Sequence, residues 1–262
     1  MDINKIKITD NAYLTRYKAS IYSDQRKGDD YCVLICPGGG WFTVTEREGE
    51  PVALSFLKEN YTSFVLHYST SSKNTIYNAI EELKLATEFI MSANPTCHLL
   101  IIGFSAGAQL AALYTNKYKN PCEAVILCYP CADTSQVIEF TKSTKISSEG
   151  KEILSKAVEL CTTDSYDINT EVNPINFIGK YTPPTFIWHT SEDELIPVTN
   201  SLSYANRLSE QNIPFELHIY EPGLHGLSLA NTASASKESE INEYTSVWFN
   251  DMLHWLSYRR CH

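Results

Sequence analysis

Three residue types that together perform nucleophilic acyl transfer occur in a fixed order along the chain: Ser105, Asp193 and His225. A serine hydroxyl attacks a carbonyl when a neighbouring base takes its proton, and a histidine base keeps its working tautomer when a carboxylate orients it. Ser105 lies in Gly103-Phe104-Ser105-Ala106-Gly107. That spacing is common by chance, and a serine in it can be an ordinary turn residue. Its setting singles it out, because an apolar run at residues 98–104 precedes it and a small-residue run at 105–113 follows. A strand that reverses sharply into a helix strains the backbone of its turn residue and demands small neighbours on either side. It also lifts one hydroxyl above the sheet edge, at the positive end of the helix. Asp193 and His225 each follow a later apolar run, at 185–189 and 215–220, and His225 sits in Gly223-Leu224-His225-Gly226-Leu227.

The competing residues fit less well. His67, His189 and His218 fall inside strand-like runs and read as half-buried structural histidines. His98 opens the run before Ser105, His254 lies on a terminal helix and His262 is the tail. Glu192 and Glu194 flank Asp193, which is preferred because the residues after it form a turn into a helix that fixes its direction. A second feature is Cys36-Pro37-Gly38-Gly39-Gly40-Trp41. Three successive glycines are costly to order. They read either as a flexible loop or as a place where backbone N–H groups approach a developing oxyanion. A glycine loop after an early strand, with a serine turn after a later one, favours the second.

The elements that must hold these residues alternate. Residues 31–36 form a continuous apolar run, as in a strand covered on both faces. Helical spacing follows at 46–59, a strand at 61–68 and a long amphipathic helix at 74–92, with Ile76, Ile80, Leu83, Leu85, Ala86, Phe89 and Ile90 as its apolar side. After the serine turn come a strand at 122–129, another at 185–189, a helix at 199–211, a strand at 215–220 and a terminal helix at about 239–258. Residues 1–24 read as the edge strands of a hairpin, and Gly28-Asp29-Asp30 as a turn. The alternation predicts a mostly parallel sheet with helices on both faces. Residues 133–182 break it. That stretch is polar, with one amphipathic helix at 147–161, and is too long for a plain connection. The expectation is one domain over 1–262 with a cap-like insertion at about 133–182 over the strand ends, the alternative being a surface insertion with no role.

Composition excludes several classes. There are 21 basic and 31 acidic residues, a net charge of −10, and no basic stripe. Nucleic acid and an anionic membrane surface are therefore not expected as partners. No apolar stretch approaches the length of a membrane span, and residues 1–5 lack the apolar segment of a secretory signal, so a cytoplasmic location is the default expectation. The eight cysteines sit mostly in or beside apolar runs, where a free thiol acts as a small hydrophobe. Cys128-Tyr129-Pro130-Cys131 has redox or zinc spacing but lacks a second pair, and no metal or organic cofactor is expected.

These motifs, with Asn173-Pro174 and Pro183-Pro184-Thr185-Phe186-Ile187-Trp188-His189, make residues 31–230 similar to the α/β-hydrolase esterases. Among these the chain resembles the acetyl esterases and acetylxylan esterases that lie near the hormone-sensitive-lipase-like enzymes. The chain departs from the latter in having Pro37, preceded by Cys36, where they have histidine before the glycines. The resemblance implies an α/β-hydrolase fold with a small cap. It also implies a Ser105–Asp193–His225 triad, oxyanion donors from the N–H groups of Gly39, Gly40 and Ala106, and no metal. Trp41 and the insertion are expected to narrow the site around a short acyl group such as acetyl. The implied activity is hydrolysis of short-chain carboxylic esters, with acetylated sugars, xylan fragments and small aliphatic esters all open as substrate. Two other readings stand beside it: a prolyl-oligopeptidase-type serine peptidase, and a binding module that kept the fold without catalysis. Oligomeric state is not legible.

Overall fold

A computed structural model describes residues 1–19, 31–71, 75–161 and 171–261. The expected turn at 28–30, His262 and residues 162–170 of the insertion lie outside the described residues. Among the described residues eight strands form one sheet: β1 (Asp2–Lys7), β2 (Tyr13–Lys18), β3 (Tyr31–Cys36), β4 (Thr62–His67), β5 (His98–Phe104), β6 (Cys122–Cys128), β7 (Thr185–Thr190) and β8 (Phe215–Tyr220). Their order is β1-β2-β4-β3-β5-β6-β7-β8. β1 pairs antiparallel with β2, and β2 antiparallel with β4, so only β1 of the N-terminal pair is an edge. From β4 to β8 all pairings are parallel.

The continuous apolar runs are explained by the two faces. Successive strand side chains point to opposite sides, and here both sides are covered. Cys32, Leu34 and Cys36 of β3, Leu99 and Ile101 of β5 and Leu127 of β6 face one cluster, beneath α2 (Thr75–Ala93), α3 (Ala106–Lys117) and α6 (Thr199–Glu210). Val33, Ile35, Leu100, Ile102 and Ile126 face the other. They lie against α1 (Glu50–Lys58), and with Phe186 and Trp188 of β7 against α8 (Trp248–Cys261), which supplies Trp248, Met252 and Trp255.

Several expected details change. On α2, Leu85 is 42% exposed and Phe89 37% exposed, because the buried stripe runs through Ile76, Ala79, Ile80, Leu83, Ala86 and Ile90 and these two lie beside it. The terminal helix is broken: a 3-10 turn (Glu238–Glu240) and a short α7 (Glu243–Ser246), capped by the Asn242 side chain, precede α8. Val247, at that break, is exposed.

Residues 133–182 hold more order than their polarity implies. α4 (Thr134–Thr141) begins at Asp133, whose carboxylate accepts the Ser135 and Gln136 N–H groups. α5 (Ser148–Cys161) packs on it through Val137, Ile146 and Leu154, with Ile196 completing the cluster. A 3-10 turn at Pro174–Phe177 then leads toward β7.

The turn from β5 to α3 is tightly packed. Ser105 stands at φ 50°, ψ −115°, and its N–H donates to Cys128 O at 3.0 Å. A Cβ on Gly103 would lie 2.3 Å from Gly107 O, and one on Gly107 would lie 2.0 Å from Cys36 O and 2.4 Å from Pro37 O. Those contacts are backbone atoms of buried elements and cannot move aside. Gly107→Ala is therefore expected to cost on the order of 3 kcal/mol or more. Denaturant unfolding checks this; a loss under about 1 kcal/mol would mean that α3 is free to shift.

Candidate active site

Each candidate residue lies just past the carboxyl end of a parallel strand. The glycine loop follows β3, Ser105 follows β5, Asp193 follows β7 and His225 follows β8. The last two loops are tied together. Thr190 Oγ1–H donates to Gly223 O at 2.8 Å, and Ser191 N–H to Tyr220 O at 2.8 Å.

Ser105, Asp193 and His225, far apart in sequence, form one hydrogen-bonded chain. Ser105 Oγ is 2.8 Å from His225 Nε2, and His225 Nδ1 is 2.6 Å from Asp193 Oδ2. An ionised carboxylate only accepts, so Nδ1 carries the proton and Nε2 is left to accept the serine hydroxyl. That is the tautomer a general base needs. The other oxygen, Asp193 Oδ1, accepts the N–H groups of Leu195 at 2.9 Å and Ile196 at 2.8 Å.

His189 was expected to be half-buried and structural. It is 0% exposed, because β7 is paired on both sides, with β6 and β8, and α6 packs over it through Ser201. It is also the second partner of Asp193: Nε2 lies 3.0 Å from Oδ2 and 3.1 Å from Ile196 O. Both are acceptors, so Nε2 carries the proton and Nδ1 accepts from Ser201 Oγ–H at 2.8 Å. Asp193 is thus held by four donors from three directions.

Burial alone would raise the Asp193 carboxyl. The charge of His225 and the hydrogen bonds from His189 and His225 outweigh it and hold the group well below the usual carboxylate range. Burial alone would lower His225. The charge of Asp193, its hydrogen bond and the charge of Glu48 outweigh that and raise it above the ordinary histidine value.

In the glycine loop Gly39, Gly40 and Trp41 all have positive φ, at 128°, 62° and 67°. Gly38 N–H is occupied by Glu48 Oε2 at 2.8 Å, whereas the N–H groups of Gly39, Gly40 and Ala106 meet no acceptor among the described residues. Trp41 is 1% exposed. Its indole N–H donates to Gln109 Oε1 at 3.0 Å, and its ring stands edge-on to Tyr68. It is a fixed part of the wall.

Above Ser105 lies a cavity of about 320 Å³, at the small end of sites that hold small molecules. One side is apolar, lined by Val137 of α4 and Ile153, Leu154, Ala157 and Val158 of α5, with Leu195 and Ile196. The other is polar, with Thr43, Thr45, Arg47 and Glu48 beside the glycine loop. Among the described residues no group of three or more His, Cys, Asp or Glu could hold a metal ion. All eight cysteines are free thiols, and Cys131 and Cys161 line this cavity. Burial pushes the Cys131 thiol up to about 12, so it stays protonated at neutral pH. No described helix is long and apolar enough to cross a membrane.

The sheet order, the strained serine turn and the strand-end loops define an α/β-hydrolase. The chain belongs to the BD-FAE family, whose model matches residues 20–208. It is similar to endo-1,4-beta-xylanase B of Butyrivibrio fibrisolvens, with 31% identity over 234 residues, covering 81% of this chain and 34% of that protein. The chain therefore spans about a third of the length of that relative. Among solved structures it is similar to a sugar hydrolase from Lactococcus lactis, with TM-score 0.82 and 29% identity over 98% of each chain. A further similar structure is an acetyl ester-xyloside bifunctional hydrolase from Caldicellulosiruptor lactoaceticus, with TM-score 0.76 and 26% identity over 97% of this chain and 96% of that one.

Proposed function

We propose that the chain is a serine carboxylesterase that hydrolyses short-chain, foremost acetyl, esters, with acetylated sugars or oligosaccharides as the natural substrates. At the coarser level it is a carboxylester hydrolase of the α/β-hydrolase type. The observation that carries the reading is the continuous chain Ser105 Oγ–His225–Asp193 at the floor of a cavity. The xylanase relative and the acetyl ester-xyloside hydrolase support the sugar side of it.

In this mechanism Ser105 Oγ attacks the ester carbonyl while His225 Nε2 takes its proton, and Asp193 stabilises the imidazolium. The carbonyl oxygen gathers negative charge between the glycine loop and α3, where the N–H groups of Gly39, Gly40 and Ala106 receive it. Loss of one such donor typically lowers the rate on the order of a hundredfold or more. The alcohol departs with the proton from His225. Water then enters, gives a proton to the same nitrogen and hydrolyses the acyl-serine. Trp41 and the 133–182 helices bound the acyl side, and the small, apolar-walled cavity suits a short acyl group.

The test is a chain-length series of nitrophenyl acetate, butyrate and octanoate, run beside release of acetate from acetylated xylo-oligosaccharides. Acetate is expected to have the highest kcat/KM. Preference for octanoate would overturn the acyl assignment, and failure to release acetate from the oligosaccharides would overturn the sugar assignment.

A further inference from the structure

Glu48 is a buried carboxyl beside the triad that the mechanism above leaves unused. It is 3% exposed, at the end of a 3-10 turn (Glu46–Glu48) that follows the glycine loop. Its Oε2 accepts Gly38 N–H at 2.8 Å, and its Oε1 accepts the Tyr129 hydroxyl at 2.6 Å. Tyr129 in turn accepts Ser228 N–H at 2.9 Å, and its ring stands edge-on to His225 at 5.0 Å. Ser228 Oγ–H closes the circuit by donating to Arg47 O at 2.7 Å. One carboxyl thus joins the loop after β3, the loop after β6 and the loop that carries His225. It is also close to the nucleophile: the point where a Gly38 Cβ would stand is 2.8 Å from Glu48 Oε2 and 3.1 Å from Ser105 Cβ.

The hydrogen bonds indicate its charge. Both oxygens receive donors, and the Tyr129 oxygen already accepts from Ser228. A proton on Glu48 would need an acceptor, which neither Gly38 N–H nor a donating Tyr129 hydroxyl provides. We propose that Glu48 is a positioning residue for this site: an ionised carboxylate that fixes the glycine loop through Gly38 and supports the positive charge that His225 acquires in the reaction. This rests on the serine-hydrolase reading above.

The charges around His225 are few. Asp193 bonds to its Nδ1, with His189 on the far side of that carboxylate. Arg47 opposes its positive charge, but its own guanidinium pairs with Glu240 at 3.2 Å and donates to Ser234 O. Ser105 and the Tyr129 ring are neutral neighbours. Glu48 is therefore the second negative charge acting on the imidazole. Burial is the largest influence on Glu48 and leaves its carboxyl raised above the ordinary glutamate value, although the Tyr129 and Gly38 hydrogen bonds and the charges of His225 and Arg47 pull it down.

The experiment is the pH profile of kcat/KM for nitrophenyl acetate in wild type, Glu48→Gln and Glu48→Asp. The wild-type profile is expected to rise with pH, with its midpoint above 6.5, because only neutral His225 acts as base. Glu48→Gln keeps the shape and removes the charge, and should lower that midpoint by roughly one pH unit. Glu48→Asp keeps the charge on a shorter arm, so the rate should fall while the midpoint stays near wild type. An unmoved midpoint in Glu48→Gln overturns the proposal. The same titration followed by NMR of the His225 ring in Ser105→Ala needs no turnover. If nitrophenyl acetate is not hydrolysed, the esterase reading fails and the ring titration still decides the role of Glu48. Should Glu48→Gln not fold, the carboxyl carbon shift of Glu48 in Ser105→Ala decides: an ionised value at neutral pH is expected, and a protonated one overturns the assignment.

Discussion

Replacing Ser105 by alanine is expected to lower kcat for acetyl esters by about 10⁴- to 10⁶-fold and to abolish labelling by a fluorophosphonate probe. Removing the nucleophile alone costs about as much as removing a whole triad, because its members act as a unit. The same residue makes an opposite prediction for stability. Ser105 is held at φ 50°, ψ −115° by Gly103, Gly107 and the N–H bond to Cys128 O. A non-glycine residue in such a conformation stores about 1–3 kcal/mol of strain. Glycine relieves that strain, against an entropic cost of about 0.5–1 kcal/mol in the unfolded chain. Ser105→Gly should therefore be inactive yet more stable than wild type by about 1 kcal/mol. Steady-state kinetics and denaturant unfolding of the two variants check both halves. Substantial ester hydrolysis by Ser105→Ala would remove the nucleophile from the mechanism. A Ser105→Gly protein less stable than wild type would show that the turn is not strained.

The sheet was legible because it is covered on both sides. A strand such as residues 31–36, with every residue past the first buried, leaves an unbroken apolar run that nothing else in the chain imitates. The positions of the three candidate residues were legible for a related reason: Ser105, Asp193 and His225 each stand a few residues past such a run. Less legible were the residues that bond to the candidate triad from behind. His189, inside β7, gives no sign in sequence of which acceptor its N–H will meet. Its spacing of four residues before Asp193 was the available signal. Glu48 was hidden in the 46–59 stretch, whose helical spacing gives no sign that this carboxylate turns inward. Only the turn beneath the glycine loop carries Glu48 inward, while Arg47 goes to Glu240. In the insertion, Asp133 followed by Thr-Ser-Gln carried a helix-start signal for α4. The eight-residue helix it opens is short enough that the surrounding polarity obscured it.

Asp193 concentrates the second large effect. Its Oδ1 faces two backbone donors and its Oδ2 faces two imidazoles. In Asp193→Asn the amide NH₂ cannot face Leu195 and Ile196, which both donate, so it must turn toward the histidines. His225 Nδ1 must then accept, its proton moves to Nε2, and the base presents a donor to Ser105. A wrong tautomer of this kind lowers kcat on the order of 10⁴-fold. Removing one charge from a buried pair also costs about 3 kcal/mol of stability. The pH dependence of that cost follows from the two shifts. Asp193 is depressed in the fold, so its contribution is present above the unfolded carboxylate value near 3.9 and fades as pH falls below it. His225 is raised in the fold, so its contribution is full below the unfolded value near 6.5 and disappears as pH rises through its folded value. The gap in unfolding free energy between wild type and Asp193→Asn should therefore be widest between about pH 4 and 6 and narrow on either side. A gap that stays constant from pH 3 to 8 would mean that Asp193 and His225 are not electrostatically coupled, and the proton-transfer chain from Ser105 would lose its orienting charge.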